Sequence, residues 1–140
     1  MVNIFFEDTE VLDLRPEFFV SWLSEVCVLH NNSLGEVSLV FCSDEYLLEM
    51  NRTHLNHDYY TDIITFDYSE GDVSGDLFIS IDRVRENAKE ERIDFLNELN
   101  RVVVHGVLHL LGFKDKSGEE SKEMRTQENA ALEIIVSRET

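Results

Sequence analysis

The chain is poor in the residues that interrupt or staple a fold. Pro16 is its one proline, six of its 140 residues are glycine, and its two cysteines, Cys27 and Cys42, show no Cys-x-x-Cys spacing. Two such cysteines exclude a disulfide framework and leave a reduced, buried pair as the expectation. No apolar run approaches the length of a membrane span. The start, Met1-Val-Asn-Ile-Phe-Phe-Glu-Asp, has neither a basic region nor a cleavable apolar stretch, so no signal peptide is expected and the expected location is cytoplasmic. Positive charge is scarce too: 12 Lys and Arg face 29 Asp and Glu, a formal net charge of −17. That balance excludes a broad, salt-dependent coating of nucleic acid. It leaves room for a local cationic site, because a bound metal and a few basic side chains can dominate one cleft.

What remains is an ordinary globular composition, 43% hydrophobic, with no internal repeat and no low-complexity segment. A chain of this length is expected to form one domain, residues 1–140, with a core that needs no staples. Val2 to Phe6 reads as a strand. Pro16 suits the first turn of a helix running to about His30, with Phe18, Phe19, Trp22, Leu23, Val26 and Leu29 as its apolar stripe. Asn31, Asn32 and Gly35 break that helix, and Glu36 to Phe41 alternates as a strand with Val37, Leu39 and Phe41 on one face. Ser43 or Asp44 can cap a helix carrying Tyr46, Leu47 and Met50. Ile63 to Tyr68 and Asp76 to Ile81 read as two strands of a hairpin. Asp82 to Glu91 is a charged helix or turn. Phe95 to Leu111 is a helix apolar nearly all round near its end, hence a core helix, with Gly112 just past its C-terminus. Ser117-x-x-Glu120 matches a capping box opening a last helix to about Val136. The sum is an α+β domain, a small sheet of four strands packed with about five helices.

The chemistry concentrates in Arg101-Val-Val-Val-His105-Gly106-Val-Leu-His109-Leu-Leu-Gly112-Phe-Lys-Asp115. Helical residues four apart lie about 40° apart around the axis, so His105 and His109 share a face and can bind one metal ion. Two uncoordinated imidazoles side by side in a core helix would leave ring nitrogens in need of partners. Past Gly112 the returning chain offers carboxylates for a third ligand: Asp115, or Glu119 and Glu120, whose place in a helix's first turn also explains them without a metal. The spacing is that of a zincin, but Gly106 stands where His-Glu-x-x-His would put a general base. The thermolysin-like proton shuttle is therefore absent, and Gly106 is expected to keep the helix surface beside His105 open. Three protein ligands would leave a coordination position free, which suits catalysis: activation of water and polarisation of a carbonyl or phosphoryl oxygen.

The stretch from His105 to Asp115 resembles the signature of the YbeY family, His-Gly-x-Leu-His-Leu-x-Gly-Tyr-Asp-His. Thr61-Asp62-Ile-Ile-Thr-Phe66 and Gly75-Asp76-Leu-Phe-Ile-Ser80 are similar to two further family segments in the same order, so that the resemblance covers about Leu39 to Met124. It implies a mixed sheet with a metzincin-like metal site on a buried helix. It also implies a zinc-dependent, single-strand-specific endoribonuclease acting in ribosomal RNA maturation, at the 3′ end of small-subunit RNA, and in ribosome quality control. The implied partners are ribosomal RNA and the small ribosomal subunit or a ribosomal protein. The implied ligands are His105, His109 and Asp115.

Two departures from the family pattern matter. Asp115 stands where a histidine is usual; a carboxylate is an acceptable zinc ligand, but it lowers the site's net charge by one and favours harder ions such as Mn²⁺. Leu55 stands where an arginine is usual, and it can neither bind phosphate nor stabilise developing charge. His54, His57, Arg52 and Lys114 are the nearby substitutes. His57 is the foremost catalytic candidate, because Asp58 beside it can orient and charge the imidazole; a plain surface-loop histidine is the alternative. Asp62, Asp67 and Asp76 are the remaining cleft candidates. Asp76 is either a general base or a carboxylate capping backbone, and Asp62 fits a turn residue before its strand. The competing functions are a peptidase, disfavoured by Gly106, and a ribosome-assembly protein whose structural metal would have a closed fourth ligand such as His57 or Glu119.

Overall fold

The computed structural model describes residues 1–139. Four strands and five helices follow one another along it: β1 (Val2–Phe6), α1 (Pro16–Leu29), β2 (Leu34–Cys42), α2 (Asp44–His54), β3 (Ile63–Asp67), β4 (Val73–Ser80), α3 (Ile81–Glu91), α4 (Phe95–Leu110) and α5 (Gly118–Glu139). The sheet is mixed, in the order β1-β2-β4-β3. β1, β2 and β4 run parallel, and β3 returns antiparallel against β4 as the edge strand, with Ile63 opposite Ile79 and Asp67 opposite Gly75. Among the described residues no helix is long and apolar enough to cross a membrane.

Alternation sets which side of the sheet meets which helices. Val37, Leu39 and Phe41 of β2 and Val73, Leu77 and Ile79 of β4 are buried in the main core with Phe19, Trp22 and Leu23 of α1 and Val103, Val107 and Leu108 of α4. Cys42 and Ile64 turn to a smaller cluster under Leu47 of α2, joined by Phe66 and Phe78. Both cysteines are free and buried, as their spacing implied. Trp22 is fully buried, and its indole N–H donates to the Ala131 carbonyl at 2.8 Å, tying the first helix to the last.

Two readings of the apolar pattern need correction. Leu29 is 61% exposed: in the last turn of α1 Val26 and Cys27 take the core side, and Val28 and Leu29 face outward. β4 starts at Val73, three residues early, because Val73 pairs with Leu34 once the chain has turned through Gly71, whose φ is +102°. Gly75 lies at a close approach: an added Cβ would stand 2.3 Å from the Phe66 carbonyl oxygen of β3 and 2.9 Å from Leu110 of α4.

Candidate metal centre

α4 is buried over most of its circumference, including Leu99, Val102, Val103, Val104, Val107 and Leu108. His105 and His109 emerge half-buried on one face near its end. The helix closes in a Schellman turn: the Gly112 N–H donates to the His109 carbonyl and the Phe113 N–H to the Leu108 carbonyl, both at 3.0 Å, with Gly112 at φ +105°. That reversal brings Asp115 back over the histidine face. Its Oδ2 lies 3.2 Å from His105 Nε2 and 3.7 Å from His109 Nε2, and the two Nε2 atoms are 3.0 Å apart. One ligand atom from each of the three residues thus falls within 4.8 Å of the others, and no fourth His, Cys, Asp or Glu joins them among the described residues. α5 then begins with the expected capping box: the Glu120 N–H donates to Ser117 Oγ at 3.1 Å, and the Ser117 N–H donates to Glu120 Oε1 at 3.0 Å. Glu120 is thereby committed to the helix start.

The far nitrogens fix the chemistry of the near ones. His109 Nδ1 donates to the Phe113 carbonyl at 3.0 Å, and a carbonyl can only accept, so the proton sits on Nδ1 and the neutral ring turns its Nε2 lone pair to the cluster. His105 Nδ1 donates to Glu128 Oε2 at 2.7 Å, so that ring too carries a proton on Nδ1 and turns Nε2 to the cluster. Two imidazole Nε2 atoms and a carboxylate oxygen converging at these distances can hold one cation between them. The donor set, two imidazoles and one carboxylate, suits a divalent ion with an open position.

Glu128 is the residue that sequence reasoning missed. It is 5% exposed on α5, and its other oxygen accepts from Arg101 Nη1 at 3.0 Å, giving a chain Arg101–Glu128–His105 that holds one imidazole in place. The signal was there: Met124, Glu128 and Ala131 form one buried stripe of α5, and a carboxylate on such a stripe needs a partner. Burial pushes the Glu128 carboxyl up, but its bonds to His105 and Arg101 prevail and hold it below the usual range. At His105 burial opposes charge, yet the bond and charge of Glu128, helped by Asp62 and Asp115, shift the ring up. His109 is shifted down, first by burial and then by its neighbour His105. Burial also raises the carboxyl of Asp62.

In front of the trio lies a cleft of about 650 Å³. β3 with the loop before it forms one wall, contributing His57, Tyr59, Asp62, Thr65 and Asp67, and Lys116 stands on the other side beside Asp115. His57 is therefore brought to the site, but not as expected. Asp58 is taken by Arg52, at 2.6 Å, and His57 Nδ1 instead meets the Tyr59 hydroxyl at 3.0 Å. The same ion pair occupies Arg52. Asp76 is not brought to the site. Gly75 and Leu77 on either side of it face α4, so Asp76 projects from the opposite face of the sheet, where it pairs with the Tyr68 hydroxyl. Gly106 likewise does not open the surface. It is buried against the sheet, where an added Cβ would come within 2.7 Å of Ile63 Cδ1 and 2.9 Å of Leu77 Cδ1, so a glutamate at that position has no room.

The family model for the endoribonuclease YbeY matches residues 7–136. The chain belongs to the YbeY family. Its YbeY relatives include one from Phocaeicola vulgatus, 46% identical over 96% of this chain and 99% of that one, and one from Flavobacterium psychrophilum, 50% identical over 88% and 89%. Both are named as endoribonuclease YbeY. The solution structure of a Thermotoga maritima protein superposes with a TM-score of 0.65 at 28% identity, covering 95% of this chain and 87% of that one. The α+β fold expected from the YbeY resemblance is the fold observed.

Proposed function

We propose that this YbeY-family chain is a metal-dependent endoribonuclease that cleaves single-stranded RNA, acting in ribosomal RNA maturation and ribosome quality control in the cytoplasm. The observation that carries the reading is the convergence of His105 Nε2, His109 Nε2 and Asp115 Oδ2 while both Nδ1 atoms are tied back by Phe113 and Glu128. Its relatives' names supply the reaction class. A divalent ion held there supplies Lewis-acid activation of a phosphoryl oxygen and of water. His105 and His109 donate neutral nitrogens to it and Asp115 a carboxylate, so the ligands leave a dipositive ion a net charge of +1 instead of the +2 that three imidazoles would leave. Zinc is the ion proposed, with Mn²⁺ or another divalent ion tolerated because of that carboxylate.

Glu128 and Arg101 keep His105 in its tautomer and orientation. His57, on the opposite wall of the cleft, is proposed as the proton-carrying or cationic group facing the substrate. The acidic surface suits presentation of the RNA by the small ribosomal subunit or a ribosomal protein better than capture of naked RNA. The test is cleavage of single-stranded RNA by the purified, metal-analysed protein. His109→Ala should lose both metal and cleavage. His57→Ala should keep full metal occupancy and slow cleavage, and unchanged cleavage in that variant removes His57 from the mechanism.

A further inference from the structure

We infer that the cleft holds one unpaired nucleotide at two points, its base stacked on the Tyr59–His57 pair and its phosphate at Lys116; this rests on the endoribonuclease reading. With a net charge of −17 the molecule as a whole repels a polyanion. A strand that nevertheless enters the cleft must be held by contacts that are short-ranged or local in sign. Among the residues lining the cleft, Lys116 is the one lysine or arginine, and Tyr59 is the one Phe, Tyr or Trp. No ion pair of the Lys116 ammonium with a carboxylate is present among the described residues, whereas Arg52 nearby is paired with Asp58.

Tyr59 is built as a platform. The residue is 55% exposed, and its ring stacks on His57 with centroids 5.2 Å apart and planes 21° from parallel. The loop beneath is pinned by Asn51, itself 2% exposed. The Asn51 amide donates to the Tyr59 carbonyl at 2.8 Å, and the Asn51 carbonyl accepts from the His57 N–H at 2.9 Å. Asn56 turns the chain there at φ +55°. An exposed aromatic face held this firmly loses little freedom when a base docks on it. Stacking on such a face selects unpaired bases, because a base inside a duplex has both faces covered.

The experiment measures kcat and KM on a short, labelled single-stranded RNA with the metal-loaded protein, across about 50 to about 200 mM salt. Tyr59→Ala should raise KM roughly 5- to 150-fold, with kcat less affected, while Tyr59→Trp keeps KM near wild type. Lys116→Gln should flatten the salt dependence of log kcat/KM by about 0.7, the share of one phosphate contact on a single strand, and Lys116→Arg should restore it. Metal content and Tm serve as controls that the fold is intact. A KM within twofold of wild type for Tyr59→Ala, an equal loss in Tyr59→Trp, or an unchanged salt slope for Lys116→Gln overturns the inference. A wild-type protein that cuts neither free RNA nor RNA presented on the small ribosomal subunit overturns the functional reading itself, so the two failures are distinct.

Discussion

Replacing Glu128 with glutamine removes one charge and almost no volume from the interior. In the native protein both carboxylate oxygens accept, one from His105 Nδ1 at 2.7 Å and one from Arg101 Nη1 at 3.0 Å, and the side chain is 7% exposed. A glutamine has a single accepting oxygen. Either the Arg101 guanidinium or the His105 N–H must then face an NH₂ group, donor against donor. If His105 loses, its ring is free to rotate or to carry its proton on Nε2, the nitrogen that should face the metal. Loss of such a supporting partner typically weakens metal binding about 10- to 100-fold, or about 1.4–2.7 kcal/mol. Glu128→Ala should do the same and also unfold more easily, by about 1–3 kcal/mol, since Arg101 loses its nearest carboxylate and keeps only Asn129 at 3.0 Å and Glu98 at 3.8 Å. Chelator-competition titrations with zinc, alongside urea denaturation of the metal-free variants, separate the two effects. Glu128→Gln with wild-type zinc affinity would refute the claim that Glu128 sets the histidine's tautomer.

Asp115→His should tighten zinc binding and narrow the metal range, and Asp115→Ala should weaken binding by more than the roughly 100-fold upper bound of an outer partner; metal analysis after dialysis reads both, and tight zinc with no manganese activity in the wild type counts against a role for the carboxylate in metal preference. Gly75→Ala forces a Cβ to 2.3 Å from the Phe66 backbone oxygen, which cannot move without β3, so it should cost about 3 kcal/mol or more and disturb the cleft wall; a denaturation midpoint unchanged from wild type contradicts this. Burial pushes the thiols of Cys27 and Cys42 from 9.0 to about 11 and about 12. Because the folded values are the higher ones, their contribution to stability is full below pH 9.0 and is lost as pH rises towards 11 and beyond, by at most about 1.4 kcal/mol per pH unit for each thiol. Stability measured against pH should therefore fall less steeply in Cys27→Ala/Cys42→Ala, and both native thiols should resist thiol reagents at neutral pH.

The helix boundaries and the clustering of His105, His109 and Asp115 were legible because each rests on local chemistry. Ser117 and Glu120 announce a capping box, Gly112 a left-handed turn, and the pair His105 and His109 one face of one helix; the structure realises all three. The misreadings came where a residue's role depends on what another element brings to it. Asp58 follows His57 in sequence, yet Arg52 from the preceding turn of α2 reaches it first. Asp76 sits in a segment similar to its family, but pleat alternation sends it to the far side of the sheet. Gly106 gives no sign in sequence that its missing side chain makes room for Leu77 and Ile63. Glu128 lies 23 residues beyond His105, and only the docking of α5 on α4 makes them partners.

That docking has a temporal side. The eleven residues from His105 to Asp115 hold the three converging atoms, but the orientation of His105 comes from Glu128 on the last helix, which is anchored in turn to α1 through Ala131 and Trp22. A chain emerging from synthesis exposes both histidines well before it exposes the carboxylate that aims one of them. The ordered centre is thus available only to a chain whose last helix has closed against its first, and an unfinished chain carries the motif without the geometry.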